Sequence, residues 1–154
     1  MIKKTSILYG ITKPLSSSFV GIPIYSLDKV ETIENNAFYI NIITVSRDME
    51  SENYVKKRFT IDIMYKNKRK DNPNIYMDTE DIILDSVFKN HLTITSLEEN
   101  VRDRKPRIFS QNSNITDNVL HCMFDIEFID ELIIDDTYDL FGDLRVKFEL
   151  VETV

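Results

Sequence analysis

The sequence predicts an α+β protein: a largely antiparallel or mixed β-sheet packed with an N-terminal helix and one central helix. Two strongly patterned stretches and the spacing of apolar residues between them predict it. From Leu120 to Phe128, Leu120, Cys122, Phe124, Ile126 and Phe128 alternate with His121, Met123, Asp125 and Glu127, the period-two pattern of a half-buried strand. Val55, Phe59, Ile61, Ile63 and Tyr65 alternate in the same way with Lys56, Arg58, Thr60, Asp62 and Lys66. These two strands form the expected spine of the sheet. Helical spacing occurs near the N-terminus and again mid-chain, and most strands are joined by hairpin-length connections, which is an α+β layout.

Ile7, Leu8, Ile11 and Leu15 fall at helical spacing, and Phe19 extends that stripe by a turn. Gly10 and Pro14 weaken it, so a short N-terminal helix is expected, with a kink or restart at Pro14. Ile22-Pro23-Ile24-Tyr25 reads as a short extended segment that its proline confines to an edge or a strand start. After the polar linker Asp28 to Asn36, the run Ala37 to Val45 is apolar on both faces and predicts a strand covered on both sides. The connection Ser46 to Asn53 has no glycine and no tight-turn dipeptide. It is therefore a longer hairpin loop or an extended hairpin arm.

Lys66 to Asn74 is polar and holds the turn-forming Asp71-Asn72-Pro73-Asn74. Asp78 is the expected N-cap of the central helix, with Glu80 and Asp81 in its first turn. Ile82, Ile83, Ser86, Val87 and Asn90, with Ile75 and Thr79 a turn earlier, line one stripe of that helix, which ends near His91. Short strands are expected at Leu92 to Thr95 and Arg107 to Gln111, separated by the charged loop Glu98 to Pro106. Asp117-Asn118 makes a turn before the spine strand. Leu144, Val146, Phe148 and Leu150 alternate with Arg145, Lys147, Glu149 and Val151 as a closing strand. There is no internal repeat.

At 154 residues and 42% hydrophobic, residues 1–154 are expected to form one domain that buries roughly 70% of its unfolded surface. The single cysteine, Cys122, sits on the apolar face of the spine and reads as core filler in a reducing compartment. Met1-Ile2-Lys3-Lys4 resembles the start of a secretory signal, yet the apolar run that follows is broken at Gly10 and closed by Thr12, Lys13 and Pro14. Asn114-Ile115-Thr116, a glycosylation acceptor by pattern, reads as loop chemistry.

The formal net charge is −7, with an acidic pI of about 4.9. That disfavours a protein whose main task is to coat phosphate backbones. Charge is nevertheless segregated along the chain. Lys66, Lys68, Arg69 and Lys70 form one basic cluster, Arg102, Arg104, Lys105 and Arg107 another, and Asp130 to Asp143 is acidic.

Asp62, Asp125 and Glu127 would converge if the spine strands were neighbours, as a magnesium nuclease site requires. The same faces, however, carry Lys56, Arg58, Arg145 and Lys147 as cross-strand partners, with no glycine-rich loop beside them. His91 at the helix end, His121 on the polar face and the lone Cys122 are too few for zinc. Ser16, Ser17 and Ser18 lack a nucleophile elbow. No catalytic residue, metal or cofactor is expected.

Several strings together resemble a known family: Ile24-Tyr25 after a short helix, Asn36-Ala37-Phe38-Tyr39-Ile40-Asn41-Ile42, Lys57-Arg58-Phe59-Thr60-Ile61-Asp62-Ile63-Met64-Tyr65, one helix, and Asp117-Asn118-Val119-Leu120-His121-Cys122-Met123-Phe124-Asp125-Ile126-Glu127-Phe128. They look like the small tail terminator (tail completion) proteins of phages and phage-tail-like bacteriocins of Gram-positive bacteria. The resemblance implies a homo-oligomeric ring, usually a hexamer, that stops polymerisation of the tail tube. Its partners would be the tail tube protein, the tail sheath protein in a contractile particle, and a head connector where a capsid exists. It implies neither membrane nor sequence-specific nucleic acid as a partner, and assembly in the bacterial cytoplasm before incorporation into the particle. Pro14 and the charged segment Glu98 to Arg107 depart from the family pattern.

A cyclic ring needs two different patches on each subunit, and segregated charge suits that. The arm residues Arg47, Asp48, Glu50 and Glu52 are the first candidate for contacts with a neighbour or the terminal tube disc. The basic stretch Lys66, Lys68, Arg69 and Lys70 is the second. A head-tail connector or neck ring protein, and more distantly a nucleic-acid-binding module, stay open as alternatives.

Overall fold

A computed structural model of the chain describes residues 1–26, 36–67, 73–96 and 101–132. Helix α1 (Lys4–Ser18) is followed by strand β1 (Ile24–Ser26) and the long hairpin of β2 (Ala37–Ser51) and β3 (Tyr54–Lys66). Helix α2 (Pro73–Asp81) continues as a π-helical segment, Ile82–Val87, and the hairpin β4 (Ile108–Thr116) and β5 (Val119–Glu131) completes the described chain. The five strands form one sheet in the order β1-β2-β3-β5-β4. β1 runs parallel to β2 and every other pairing is antiparallel. This is the expected α+β fold, with the expected helix at the N-terminus and one in the middle.

The two spine strands are neighbours, in a register that sets Phe59 opposite Ile126, Ile61 opposite Phe124 and Ile63 opposite Cys122. Their apolar faces, with Phe38 and Ile40 of β2, meet Ile7, Ile11 and Leu15 of α1 and Ile83 of the π-helical segment in one core. Aromatic contacts cross it: Phe38 lies between Phe19 and Tyr65, with ring centroids 4.8 and 4.7 Å away, and Phe88 lies 5.3 Å from Phe124. Such pairs contribute beyond the area they bury.

Helix α1 accommodates Pro14 in its interior, although proline removes a backbone donor there. Its buried stripe, Ile7, Ile11 and Leu15, spans the proline on both sides, so packing holds what propensity opposes. Gly10 is required for a different reason. A Cβ at this position would stand 2.5 Å from the Thr93 carbonyl oxygen, so only glycine lets α1 approach the 92–94 segment.

The central helix begins at Pro73 and not at Asp78, which lies inside it. Proline suits a first helical position because its missing N–H would have no intrahelical partner. The buried stripe also differs from the predicted one: Tyr76, Thr79, Ile83, Leu84 and Phe88 are buried, whereas Ile82, Ser86 and Asn90 are exposed. The π-helical turn accounts for the shift. Phe88 N–H donates to the Ile83 carbonyl, 2.9 Å away and five residues back, and the wider turn changes the phase of the helix.

Other expectations are corrected in the strands. β2 is covered on both faces only from Ala37 to Ile40, and Ile43 and Val45 are exposed. Leu92 to Thr95 forms no strand; isolated bridges join Ile94 to Arg104 and His91 to Arg107. β4 runs from Ile108 to Thr116, so the Asn114-Ile115-Thr116 triplet lies in a strand and not in a loop. Asp117-Asn118 is the expected turn, with φ of 52° and 60°, the positive pair that a two-residue hairpin of type I′ requires. The expected closing strand, Leu144 to Leu150, lies outside the described residues.

Candidate assembly interface

The connection expected to be a longer hairpin loop or an extended hairpin arm is an extended hairpin, its β3 side paired with β5 as far as Tyr54 opposite Glu131. Strand pairing continues to Ser51 opposite Tyr54, leaving only Glu52 and Asn53 in the turn. Register shifts between Thr44 and Ser46 and between Met49 and Ser51 are bulges, which increase twist locally. β1 pairs with β2 only from Phe38 to Ile40. Beyond Ile40, no strand among the described residues pairs with the outer edge of β2. That edge displays Ile43, Val45 and Met49, exposed to 46%, 51% and 63%, and an unprotected apolar edge is a ready template for another chain.

All four candidate arm residues are exposed. Arg47 stands opposite Lys57 and its Nη2 lies 3.8 Å from Met1 Sδ. Asp48 accepts the Ser46 hydroxyl at 2.9 Å, while Glu50 and Glu52 extend toward the tip. Lys56, opposite Asp48, is bound to Glu127 at 3.1 Å. That hydrogen bond and charge, with smaller contributions from Glu50 and Asp48, hold the Lys56 ammonium above its usual pKa.

Lys66, from the second candidate group, ends β3 at the far end from the arm, roughly 40 Å away at the rise of a β-strand. Lys68, Arg69 and Lys70 lie outside the described residues. The structure therefore does not bring Lys66 together with the arm residues.

The carboxylates weighed for a metal site share the face of the sheet opposite the core, each engaged by a neighbour. Asp62 lies 3.0 Å from His121 Nδ1. Asp125 receives Arg58 Nη2 and the Thr60 hydroxyl, both at 2.6 Å, and Arg58 also covers the Phe109 ring at 5.0 Å. Glu127 holds Lys56. These are cross-strand rungs between β3 and β5, and among the described residues no group of three or more His, Cys, Asp or Glu is placed to hold a metal. Arg145 and Lys147 lie outside the described residues.

Sequence reasoning missed a charged cluster on the core side. Lys57 and Asp130 are buried and joined at 2.6 Å. Ile2 N–H donates to Asp130 at 2.7 Å, and Lys57 donates to the Ile2 carbonyl at 3.2 Å. Arg104, grouped in the sequence with other exposed bases, approaches Asp130 at 3.6 Å. The signal was positional: Lys57 shares the parity of Val55 and Phe59, and Asp130 that of Ile126 and Phe128.

Among the described residues no helix is long and apolar enough to cross a membrane. In comparison with known proteins, the family model described as phage tail terminator protein matches residues 6–139. No curated protein matches the chain. One solved structure aligns over 87% of this chain and 99% of its own, at 11% identity and a TM-score of 0.43.

Proposed function

The chain belongs to the phage tail terminator family, a family of structural proteins of the virion, and from that premise we propose that it forms a ring on the last disc of the tail tube and stops its polymerisation. The observation that carries the reading is the family match itself, which spans every described element save the first two residues of α1. The apolar outer edge of β2, which no described strand covers beyond Ile40, and its charged arm supply surface for lateral contacts.

In this reading residues 1–154 act as one domain, six copies close the ring, and the tube protein is the axial partner. A contractile particle adds contacts with the sheath, and a particle with a capsid adds a head connector. The protein assembles in the bacterial cytoplasm before it enters the particle. It acts by geometry, without catalysis or cofactor. Arg47, Asp48, Glu50 and Glu52 face a neighbouring subunit.

Deleting the gene and measuring tails by electron microscopy tests this. Tails of uncontrolled length, corrected by supplying the protein in trans, are expected. Tails of normal length in its absence would refute the reading.

A further inference from the structure

A basic cleft lies across the sheet from the arm. The bridge between His91 and Arg107, the Leu92 N–H bond to the Pro106 carbonyl at 3.0 Å and the Ile108 N–H bond to the Asn90 carbonyl at 2.9 Å fasten two chain segments side by side. They gather Lys89, His91, Lys105 and Arg107 around a cavity of about 520 Å³. A second cavity of about 580 Å³ shares Lys89 and His91 with it and extends to Lys13 of α1. All five side chains are exposed. Among the described residues, no carboxylate forms an ion pair with any of them, on a chain whose net charge is −7. Such a concave patch of one sign focuses a positive potential.

The acidic counterpart is the arm. Asp48, Glu50 and Glu52 are exposed, whereas the bases beside them are engaged, Arg47 toward Met1 and Lys56 with Glu127. The sheet order places the two patches on opposite edges. The arm continues β2 and β3, and the cleft flanks the start of β4, where Ile108 stands opposite Ile126. Before Ile108, Arg104 Nε donates to the Ile129 carbonyl at 3.3 Å, and Ile129 stands opposite Lys56, so the segment that forms the cleft runs toward the arm's end of the strands. Two unlike patches on opposite flanks are what a head-to-tail contact requires, and repeating such a contact closes a ring.

We propose that the acidic tip of the β2–β3 arm of one subunit docks into the cleft formed by Lys89, His91, Lys105 and Arg107 of the next. This inference rests on the ring reading above and names the contact that closes the ring. Complementary charge in such a contact fixes partner and register.

The test is charge reversal read by native mass spectrometry, for the protein alone and with its tube protein. One variant carries Asp48→Lys, Glu50→Lys and Glu52→Lys; the other carries Lys89→Glu, Lys105→Glu and Arg107→Glu. Because these residues are exposed, both variants should stay folded, as circular dichroism melting will check. Each alone should lose the ring. Mixed together they should form rings of alternating subunits, and a chain with both sets of changes should close a ring by itself. Rings that persist in either single variant would overturn the docking contact while leaving the ring reading intact. Loss of the ring with no recovery in the mixture or the combined chain would equally overturn the pairing. Absence of any ring from the unaltered protein, alone and with the tube protein, would refute the ring reading and the docking contact with it.

Discussion

The ammonium of Lys57 lies 2.6 Å from the carboxylate of Asp130, and the two side chains are only 8% and 0% exposed. Both sit on the core face, so this ion pair is taken out of water. Desolvation opposes such a pair, and the extra donors from Ile2 and Arg104 offset part of that cost. Its position is the notable part: it ties the chain start, β3, β5 and the segment before β4 together at the base of the arm.

Removing one partner should therefore cost more than removing both. Asp130→Leu leaves Lys57 buried without its carboxylate, and a loss of about 3–5 kcal/mol is expected. Lys57→Met should cost less, because Arg104 and the Ile2 N–H still face Asp130. Lys57→Met combined with Asp130→Leu should recover most of the loss, which urea unfolding of the four proteins in a double-mutant cycle will measure. Additive losses would show that the pair is not coupled.

The limits of sequence reading are visible in the same residues. Phe124 and Ile61 were legible because strict alternation survives wherever one face is apolar and the other wet. Lys57 and Asp130 were not, since a charge at a core position counts against burial until its partner is known, and that partner lies 73 residues away. The arm was half legible: Ser46 to Asn53 lacks a glycine turn, and Glu52-Asn53 closes it without one. The basic cleft was hidden for another reason. His91 and Lys105 belong to separate segments that backbone bonds between residues 90–94 and 104–108 fasten together, and no periodicity encodes that meeting. In the central helix the π turn displaced the buried stripe, a change that a fixed 3.6-residue period cannot anticipate.

Gly10→Ala tests the approach of α1 to the 92–94 segment. The added methyl meets a backbone carbonyl, which cannot rotate away as a side chain would. Overpacking of this kind costs about 1–3 kcal/mol, outweighing the gain of roughly 1 kcal/mol in helix propensity. Thermal melting should show a net loss. An unchanged or higher midpoint would mean that the helix and the segment separate freely.

Cys122 gives a pH signature. Burial, with smaller contributions from the charges of Glu80 and Asp62, pushes its thiol up to about 12 from an ordinary 9.0. Below pH 9 the thiol is protonated in both folded and unfolded chains, so it adds no pH dependence. Between pH 9 and 12 the unfolded chain releases the proton while the folded one retains it, and stability falls as pH rises. The stability difference between the wild-type protein and Cys122→Ala should be constant below pH 9 and shift against the wild type above it. Native Cys122 should also resist alkylation at pH 8, since the thiolate is the nucleophile. Rapid labelling without unfolding would contradict this.

The outer edge of β2 separates stability from assembly. Ile43 and Val45 are roughly half exposed, so replacing them should affect folding only on the scale of a surface change, about 0.5 kcal/mol. Lysines on an edge strand are also a common protection against pairing with another chain. The double variant Ile43→Lys, Val45→Lys should melt close to the wild type, because Phe38 and Ile40 earlier in β2 still fill the core. If the arm docks on a neighbouring subunit, however, the apolar edge beside it enters the contact, and two lysines there leave buried charge without partners. Native mass spectrometry should then show the ring lost, and electron microscopy of tails made with this variant should show length control lost with it. A ring that survives both lysines would mean that this edge faces solvent in the assembly and that the contact is confined to the charged tip of the arm.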